Sequence, residues 1–440
     1  MATTKIIVLD DDPTGSQTVH SCLLLTRWDE ATLREALNDA SPLFFILTNS
    51  RGMEAAQAAA ITREVCQNLK RVLASLGEEG HAINPLLVSR SDSTLRGHYP
   101  VETDVIAEEL GPFDAHFLVP AFFEGGRITR DSVHYLMVDG RAVPVHETEF
   151  ARDSVFGYRH SYLPDYVEEK TAGRIKASAV QRFLLPEVRG DSLDRLMALS
   201  NNACCCVDAE QQSDLDHFAE QLQAAAATGQ RFLFRSGASL LTALAQLPPQ
   251  PVQATDMATY VRNGWPGAII IGSHVKKTTQ QLTRLLQEDS IIAVEVDVDR
   301  IATQRTALLN TILAQTEVAI ASGKHPVIYT SRVERVFPDQ AARLAFGAQV
   351  SAFLMDIVRG LPTTLGFLIS KGGITSNDVL SDGLALRTAR VVGQILPGCS
   401  VVRCPEDHPR FPGLPVVIFP GNVGDENALA LALTRLASNG

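Results

Sequence analysis

The chain has 440 residues, of which 45% are hydrophobic and 20% are charged, and its formal net charge is −11. At roughly 150 residues per domain this length predicts two or three domains, and the negative charge argues against nonspecific nucleic-acid binding, which needs clustered Lys and Arg. No apolar run approaches the roughly 18 residues of a membrane span and the start has no cationic signal segment, so we expect a cytoplasmic protein without a membrane partner.

The first half begins with an apolar strand, Ile6 to Leu9, that runs directly into Asp10, Asp11 and Asp12. Further strands are predicted after it, and the Ala-rich stretch from Gly52 to Leu76 predicts a long helix between two of them. This alternation predicts a mostly parallel sheet covered by helices on both faces. The further predicted strands of this half are Leu43–Thr48, Leu86–Ser89, Ala115–Val119, Ala203–Val207 and Arg231–Phe234.

Two segments interrupt this pattern. Residues 124–165 contain a double glycine, short alternating pieces and many charges, which predict a hairpin-bearing excursion over the sheet edge, with a lid as one option. The segment 247–253 has three prolines in four positions and predicts a linker, because proline disfavours both helix and sheet hydrogen bonding. We therefore predict an N-terminal domain at 1–250 and a C-terminal domain at 251–440.

The second half repeats the α/β pattern. Helices are predicted near 276–287, 302–321 and 338–358, and a last helix is predicted to begin around Gly424-Asp425-Glu426. The fold class we predict is two-domain α/β, each domain with a mostly parallel sheet flanked by helices and the active site in the interdomain cleft. The predicted strands of this half are Ala268–Ile271, Ile291–Val296, Val327–Thr330, Leu365–Ser370 and Pro415–Phe419.

Polar motifs follow three predicted strands of the first half, and parallel strands end at a common sheet edge where ligands bind. Three adjacent carboxylates are costly unless a cation, backbone amides or a hydroxyl engages them, although one of these Asp residues could simply cap the next helix. The run Thr48–Gly52 offers the Arg51 fork, with a capped helix start as the alternative. The run Ser89–Gly97 mixes arginines, hydroxyls and a carboxylate, which suits a polyhydroxylated acid. Its candidate ligands are Arg90, Ser91, Asp92 and Ser93.

Glycine turns follow three predicted strands of the second half. Backbone amides at such turns can bind phosphates where a helix begins, although tight turns also use glycine for conformation alone. The sequence has no GxxxxGK[ST] motif and no GxGxxG after the first strand, so neither a P-loop nor a dinucleotide fingerprint is supported. The candidate nucleotide-binding residues are Ser273, Gly372, Gly373, Ile374, Thr375, Gly421, Asn422 and Gly424.

Four motifs together resemble the four-carbon acid sugar kinase family (D-threonate and 3-oxo-tetronate kinase-like proteins, DUF1537): Asp11–Gly15, Asp92–Gly97, Gly372–Thr375 and Gly421–Gly424. The resemblance implies phosphorylation of tetronate-type acids with ATP and Mg²⁺, the N-terminal domain holding the acid and the C-terminal domain holding ATP. It implies acid contacts from Asp12, Arg51, Arg90, Asp92 and Ser93, to which we add Asp11 and Ser91. It implies nucleotide contacts from Ser273, Gly372, Gly373, Thr375 and Gly421.

The chain departs from the family pattern at three places. Phe419 stands where family members usually carry a lysine, so Lys371 or Lys276 is expected to supply the missing charge. Arg90 stands where members often have a lysine, and His274-Val275 follows the Gly-Ser turn. The substrate could therefore differ from the family's usual tetronates.

The leading hypothesis is phosphoryl transfer from ATP to a hydroxyl of a short sugar acid, with Asp92 or Asp12 as the base and with Arg51 and Arg90 on the carboxylate. One alternative is a haloacid-dehalogenase-like phosphatase that uses Asp10 and Asp12. Another is a non-catalytic sugar-acid-binding relative. The metal ligands are unknown, and a homodimer is one option for assembly.

Overall fold

The computed structural model describes residues 3–437 except 333, 334, 336 and 338. It divides into two compact units, Met1–Pro248 and Pro249–Gly440. The division lies inside the proline-rich segment 247–253.

The first unit contains helices and strands that alternate along the chain. Its strands are β1 (Thr3–Asp10), β2 (Cys22–Leu25), β3 (Leu43–Leu47), β4 (Ile83–Arg90), β5 (Ala115–Val119), β6 (Arg127–Arg130), β7 (Val133–Val138), β8 (Arg141–Pro144), β9 (Gln181–Phe183), β10 (Ala203–Val207) and β11 (Phe232–Ser236). Its helices are α1 (Glu30–Asn38), α2 (Ala55–Glu78), α3 (Val101–Leu110), α4 (Leu163–Lys170), α5 (Leu185–Val188), α6 (Leu193–Met197), α7 (Gln212–Ala227) and α8 (Ser239–Ala245).

The main sheet of this unit is parallel, with the strand order β2-β3-β1-β4-β11-β5-β10-β9. The apolar run of β1 lies between β3 and β4 and is fully buried, as expected for a central parallel strand. Asp10 pairs with Leu47 of β3 and Arg90 of β4, so the chain leaves all three strands at one edge. This register brings the segments after β1, β3 and β4 together.

A small antiparallel sheet, β6-β7-β8, occupies the predicted excursion at 124–165. The predicted hairpin is therefore present. Its chain is tied to the rest of the unit through a bridge between Thr129 and Ala209 and another between Val133 and Tyr162.

The second unit is also α/β. Its strands are β12 (Ala268–Ile271), β13 (Ile291–Val296), β14 (His325–Thr330), β15 (Leu368–Lys371), β16 (Thr388–Leu396), β17 (Cys399–Arg403) and β18 (Pro415–Phe419). Its helices are α9 (Lys276–Leu285), α10 (Ile301–Ala321), α11 (Gln340–Gly360), α12 (Gly373–Asp378) and α13 (Ala428–Ala437). The strand order is β13-β14-β12-β15-β18-β17-β16, parallel as far as β18 and antiparallel beyond it.

The two-domain α/β class with mostly parallel sheets is confirmed. Four strands outside the excursion were missed, namely β2, β9, β16 and β17, and the expected start of the last helix was wrong. Helix α13 begins at Ala428, because the Asp425 carboxylate accepts a hydrogen bond from Asn427 N and forms a separate turn before the helix. Within the described residues, no helix has the length and apolar character needed to cross a bilayer.

Candidate functional site

An arginine joins two of the three aspartates at the edge of the first sheet. Arg51 lies in a short 3₁₀ turn after β3, and its Nη2 is 2.5 Å from Asp11 Oδ1 while its Nε is 3.2 Å from Asp11 Oδ2. Arg51 Nη1 also lies 3.3 Å from Asp12 Oδ2. The guanidinium thus holds both carboxylates, and it leaves only part of its donor capacity for a ligand.

The aspartate turn is fixed by its own side chains. Asp12 Oδ1 accepts hydrogen bonds from Thr14 N at 2.9 Å and from Thr14 Oγ1 at 2.6 Å, a side-chain turn typical of aspartate. Gly15 lies directly against Asp10, since a methyl group at Gly15 would overlap the Asp10 carboxylate. These contacts explain the Asp-x-Thr-Gly spacing at this position.

Asp10 is 0% exposed, and neither of its carboxylate oxygens has a hydrogen-bond partner among the described residues. Burial raises its pKa well above the ordinary value, which the positive charge of Arg90 only partly opposes. A nucleophilic carboxylate must be charged and accessible, so this environment disfavours the phosphatase role for Asp10.

The turn after β4 holds Asp92 in a strongly polar setting. Its carboxylate accepts from Arg96 Nε at 2.6 Å and from Thr94 Oγ1. Burial alone would raise the pKa of Asp92, but the positive charges of Arg51 and Arg96 and the hydrogen bonds hold it well below its usual range. Asp92 is therefore a charged acceptor across the neutral pH range.

Buried side chains from the excursion and from helix α4 hold the backbone of the same turn. His134 Nε2 lies 2.7 Å from the carbonyl of Ser93, Tyr158 donates to the carbonyl of Thr94 at 2.7 Å, and Tyr166 donates to that of Leu95 at 2.8 Å. Three consecutive carbonyls are thus fixed from residues 40 or more positions later in the chain. Leu95 has φ +67°, a left-handed conformation that a leucine adopts only when its surroundings impose it.

Ser91 and Arg90 take different positions in this turn. Ser91 Oγ lies 3.0 Å from Asp11 Oδ2, so it joins the carboxylate cluster. Arg90 is 3% exposed, and its Nη1 donates to the Ser91 carbonyl while its Nε has no partner among the described residues. Contact between Arg90 or the buried Ser93 and a substrate stays a prediction.

Arg235 was missed by the sequence reasoning, which ended the strand at Phe234, two residues before the end of β11. It lies near the end of β11 and donates to Ser89 Oγ and Ser91 Oγ at 2.7 Å each. Its Nη1 also lies 2.5 Å from the buried carboxylate of Glu102. The sequence does contain a signal, because the polar residues Arg-Ser-Gly follow directly on the apolar residues of this strand.

A small cavity lies beside this cluster. Its volume is about 10 Å³, which is room for about one water, and it is lined by Asp92, Arg235 and their neighbours.

In the second unit the glycine turns after β12, β15 and β18 lie close together, as these strands are neighbours. A methyl group at Gly372 would lie 3.0 Å from Ser273 Cβ, and one at Gly421 would lie 3.2 Å from Ser273 Oγ. Gly372 has φ +119°, and its amide donates to the Phe419 carbonyl at 2.8 Å. Thr278 Oγ1 is 3.1 Å from the Gly421 carbonyl and 3.2 Å from Ser273 Oγ.

The other predicted residues of this unit surround the three turns. Gly373 begins helix α12, and Thr375 is packed so closely that a methyl group at Gly272 would overlap its hydroxyl. Ile374 is 70% exposed, which is unusual for a large apolar side chain. Asn422 is exposed, and Gly424 packs instead against Ala428 of α13.

Two cations lie beside these turns. Lys371, 0% exposed, donates to the Pro420 carbonyl at 2.5 Å and stands 4.0 Å above the Phe419 ring. Burial lowers the pKa of Lys371 to about 7. Arg332, which the sequence reasoning missed, donates to the Ser273 carbonyl at 2.8 Å and to Thr279 Oγ1 at 2.7 Å.

The described residues contain no group of three or more His, Cys, Asp or Glu side chains arranged to hold a metal ion. Asp11, Asp12 and Asp92 are already engaged by guanidinium or hydroxyl groups. Protein-bound Mg²⁺ usually relies on one or two carboxylates plus the phosphates of the substrate. The site therefore fits Mg²⁺ only as part of a nucleotide complex, and we assign no resident metal.

Comparisons with known proteins match this two-unit arrangement. Residues 6–244 match the sugar-binding N-terminal domain, and residues 268–429 match the nucleotide-binding C-terminal domain. The chain belongs to the four-carbon acid sugar kinase family. The family resemblance drawn from the four motifs is thereby confirmed.

Two curated members of this family are similar to parts of the chain. A D-erythronate kinase of Heliobacterium modesticaldum is 28% identical over 169 residues, covering 37% of this chain and 35% of the relative. A D-threonate kinase of Bordetella bronchiseptica is 29% identical over 202 residues, covering 42% of this chain and 46% of the relative. The chain spans less than half the length of either curated relative it matches.

Two solved structures share the fold of this family member. A Haemophilus influenzae protein of the DUF1537 family has a TM-score of 0.65 at 18% identity and covers 98% of this chain and 100% of its own. A Salmonella typhimurium LT2 protein has a TM-score of 0.67 at 18% identity and covers 97% of this chain and 98% of its own. At this identity the likeness concerns the fold alone.

Proposed function

We propose that the protein is a kinase that transfers the γ-phosphoryl group of MgATP to a hydroxyl of a small, four-carbon-type sugar acid. The observation that carries the proposal is the coincidence of each polar cluster with a matched domain. The carboxylate and guanidinium cluster lies in the sugar-binding domain, and the glycine turns lie in the nucleotide-binding domain. The names of the two distant relatives support the same activity.

The first unit supplies groups suited to a polyhydroxylated acid. Carboxylates of Asp11, Asp12 and Asp92 can accept hydrogen bonds from hydroxyls, and Ser91 can donate or accept. Arg51 orients the carboxylates of Asp11 and Asp12 toward these hydroxyls. We therefore propose these residues as the acceptor-binding set, with Arg90 and Ser93 as buried supporting groups.

The second unit supplies groups suited to a triphosphate. The amides at Gly373 and Gly421 would donate to phosphate oxygens, and a side chain at Gly372 or Gly421 would crowd Ser273. The Gly372 amide is already bonded to the Phe419 carbonyl, so Gly372 would serve by leaving space for the phosphates. Arg332 would add positive charge beside Ser273, in place of the family lysine that Phe419 replaces. The exposed Ile374 at the start of α12 is an apolar surface suited to the base.

Phosphoryl transfer depends mainly on positioning and on neutralising charge, and one carboxylate must accept the proton of the attacking hydroxyl. Asp12 and Asp92 are the candidates. The strongly lowered pKa of Asp92 makes it a weak proton acceptor, since an efficient base has a pKa near the working pH. We therefore propose Asp12 as the base and Asp92 as the carboxylate that orients the acceptor hydroxyl and Arg96.

An ATP-consumption screen over four-carbon and related sugar acids tests this function. We expect MgATP consumption to depend on at least one acid, with ADP and a phosphorylated acid as products. Calorimetry with MgATP should show binding to the same protein. Nucleotide binding without turnover on any acid would instead support a non-catalytic relative, and release of phosphate from a sugar phosphate without ATP would support a phosphatase.

A further inference from the structure

Arg127 begins strand β6 at the end of a tight turn in the first unit. Its backbone exchanges hydrogen bonds with Phe122, the N–H donating at 2.8 Å and the carbonyl accepting at 3.0 Å. Its Nη1 donates to the Gly125 carbonyl at 2.5 Å, and its guanidinium lies 5.8 Å from the Phe122 ring centre. The side chain is thus held in one place by its own turn.

Among the described residues, the guanidinium of Arg127 has no ion-pair partner of opposite charge. Its buried Nε has no hydrogen-bond acceptor, and no carboxylate of the described residues lies within ion-pair distance of its guanidinium. Burial lowers its pKa, and the negative charge of Asp92 offsets this only in part. The Arg127 side chain is half-buried, and a guanidinium with a buried, unpartnered Nε costs free energy unless a ligand supplies the anion.

Three other arginines near the candidate acid site already have carboxylate partners, whereas Arg90 is 3% exposed and acts electrostatically on the buried Asp10. Arg51 is paired with Asp11 and Asp12, and Arg235 is paired with Glu102. Arg96 lies 2.6 Å from Asp92 and 3.7 Å from Asp153. These pairs neutralise their guanidinium groups before any ligand arrives.

The strand that carries Arg127 is fastened to the Asp92 turn. Oγ1 of Thr129, on the same strand, lies 2.9 Å from His134 Nδ1, and His134 Nε2 lies 2.7 Å from the Ser93 carbonyl oxygen. A carbonyl only accepts, so His134 carries its proton on Nε2 and accepts from Thr129. Burial lowers the pKa of His134 to about 4, which keeps this link neutral and intact at physiological pH.

We propose that Arg127 binds the carboxylate of the sugar acid, while the Asp11, Asp12 and Asp92 cluster binds its hydroxyls. This inference rests on the proposed function and names the residue that recognises the negative charge of the acid. Arg51 and Arg90 then do not bind the carboxylate, because their charges act on Asp11, Asp12 and Asp10. The orientation of the acid is then fixed, because its carboxylate and its hydroxyls bind different groups.

Arg127→Gln tests the assignment, with Arg130→Gln on the same strand as the matched control, because Arg130 is half-exposed and pairs with Glu210. The probes are D-erythronate and D-threonate, with dissociation constants from calorimetry and KM and kcat from ATP consumption. We expect Arg127→Gln to weaken acid binding by about 30-fold or more, mainly as a rise in KM, and Arg130→Gln to stay within about 2-fold. The KM for ATP should not change.

The outcomes separate this inference from the function on which it rests. If the wild type uses an acid and Arg127→Gln binds that acid with unchanged affinity, the inference is overturned and the kinase function stands. If the wild type neither binds nor phosphorylates any acid, both fail. Should Arg127→Gln not fold, Arg127→Lys keeps the charge without the planar fork and is expected to bind about 10-fold more weakly; wild-type affinity there would also overturn the inference.

Discussion

The polar clusters of the two units use different chemistry at equivalent sheet edges. In the first unit, charged side chains from separate turns, strands and helices pair with each other and are mostly buried, as in Arg51 with Asp11 and Arg235 with Glu102. In the second unit, glycine backbones lie around one serine, and the nearby cations donate to carbonyls. Side chains can distinguish one arrangement of hydroxyl groups from another. Backbone amides suit the phosphate groups of a nucleotide, which do not vary with the acid.

The largest effect is expected from the proposed base in the side-chain cluster. Asp12→Asn should lower kcat by about 10²–10⁴-fold, because the amide cannot accept the hydroxyl proton. Asp92→Asn should raise the KM for the acid and lower kcat less. Steady-state kinetics on both variants, with circular dichroism to verify folding, would decide; a greater loss of kcat in Asp92→Asn would exchange the two roles.

The buried ion pair of the first unit predicts a large effect on stability. Glu102→Ala should lower the free energy of unfolding by about 3–5 kcal/mol, because it leaves the buried Arg235 charge uncompensated. Urea denaturation measures this. The control is Glu30→Ala, which removes the exposed pair with Arg71 and should cost less than about 1 kcal/mol. Equal effects of the two variants would show that the cluster is not held by charge pairing.

A smaller effect is expected at a glycine of the backbone site. Gly372→Ala should cost about 1–3 kcal/mol of stability through its φ of +119° and should also weaken MgATP binding about 10-fold, since the methyl group crowds Ser273. Gly323→Ala is the matched control, because Gly323 has φ +75° and open space around it. Calorimetry with MgATP should detect weaker binding in Gly372→Ala alone.

The last prediction concerns pH and Lys371. Its pKa falls from an ordinary 10.5 to about 7 in the folded protein, so between these values the unfolded chain holds a proton that the folded chain has released. The free energy of unfolding should then rise with pH in this window, by up to about 1.4 kcal/mol per pH unit. The groups that act on Lys371 electrostatically are Cys399 and Lys277.

Lys371→Met removes this contribution. Urea denaturation of wild type and variant at pH 7 and pH 9 should give a difference in stability that grows with pH in favour of the wild type. Titration of the cysteines and tyrosines occurs in both proteins and cancels in the difference. A constant difference would mean that Lys371 keeps its proton throughout.

The sequence predicted much of the fold because strands of a buried parallel sheet are short apolar runs, such as Ile6–Leu9 and Ala268–Ile271, which period and composition reveal. It also predicted which turns meet, since parallel neighbours end at one edge. The antiparallel strands β16 and β17 were missed because their glycine, polar and irregular positions weaken the pattern. Helix α13 begins after the predicted start because Asp425 lies in a turn that precedes the first helical residue.

The pairing of side chains could not be predicted in the same way. Arg51, Arg90, Arg96 and Arg235 all follow or end strands at one edge, and the sequence alone does not tell which carboxylate each will reach. Arg235 meets Glu102 and Ser91 only through the strand order, in which β11 lies beside β4. The role of Lys371 in holding the Pro420 carbonyl likewise depends on β15 and β18 being neighbours.

His134, Tyr158 and Tyr166 bond to three successive carbonyls of the turn after β4, which we propose as the acid-binding loop, so residues outside this turn set its shape. The residues that fix its backbone lie some forty to seventy positions later in the chain. Engineering a new acceptor preference would therefore begin with the residues at these three remote positions, while the Asp-Ser-Thr motif itself is left untouched.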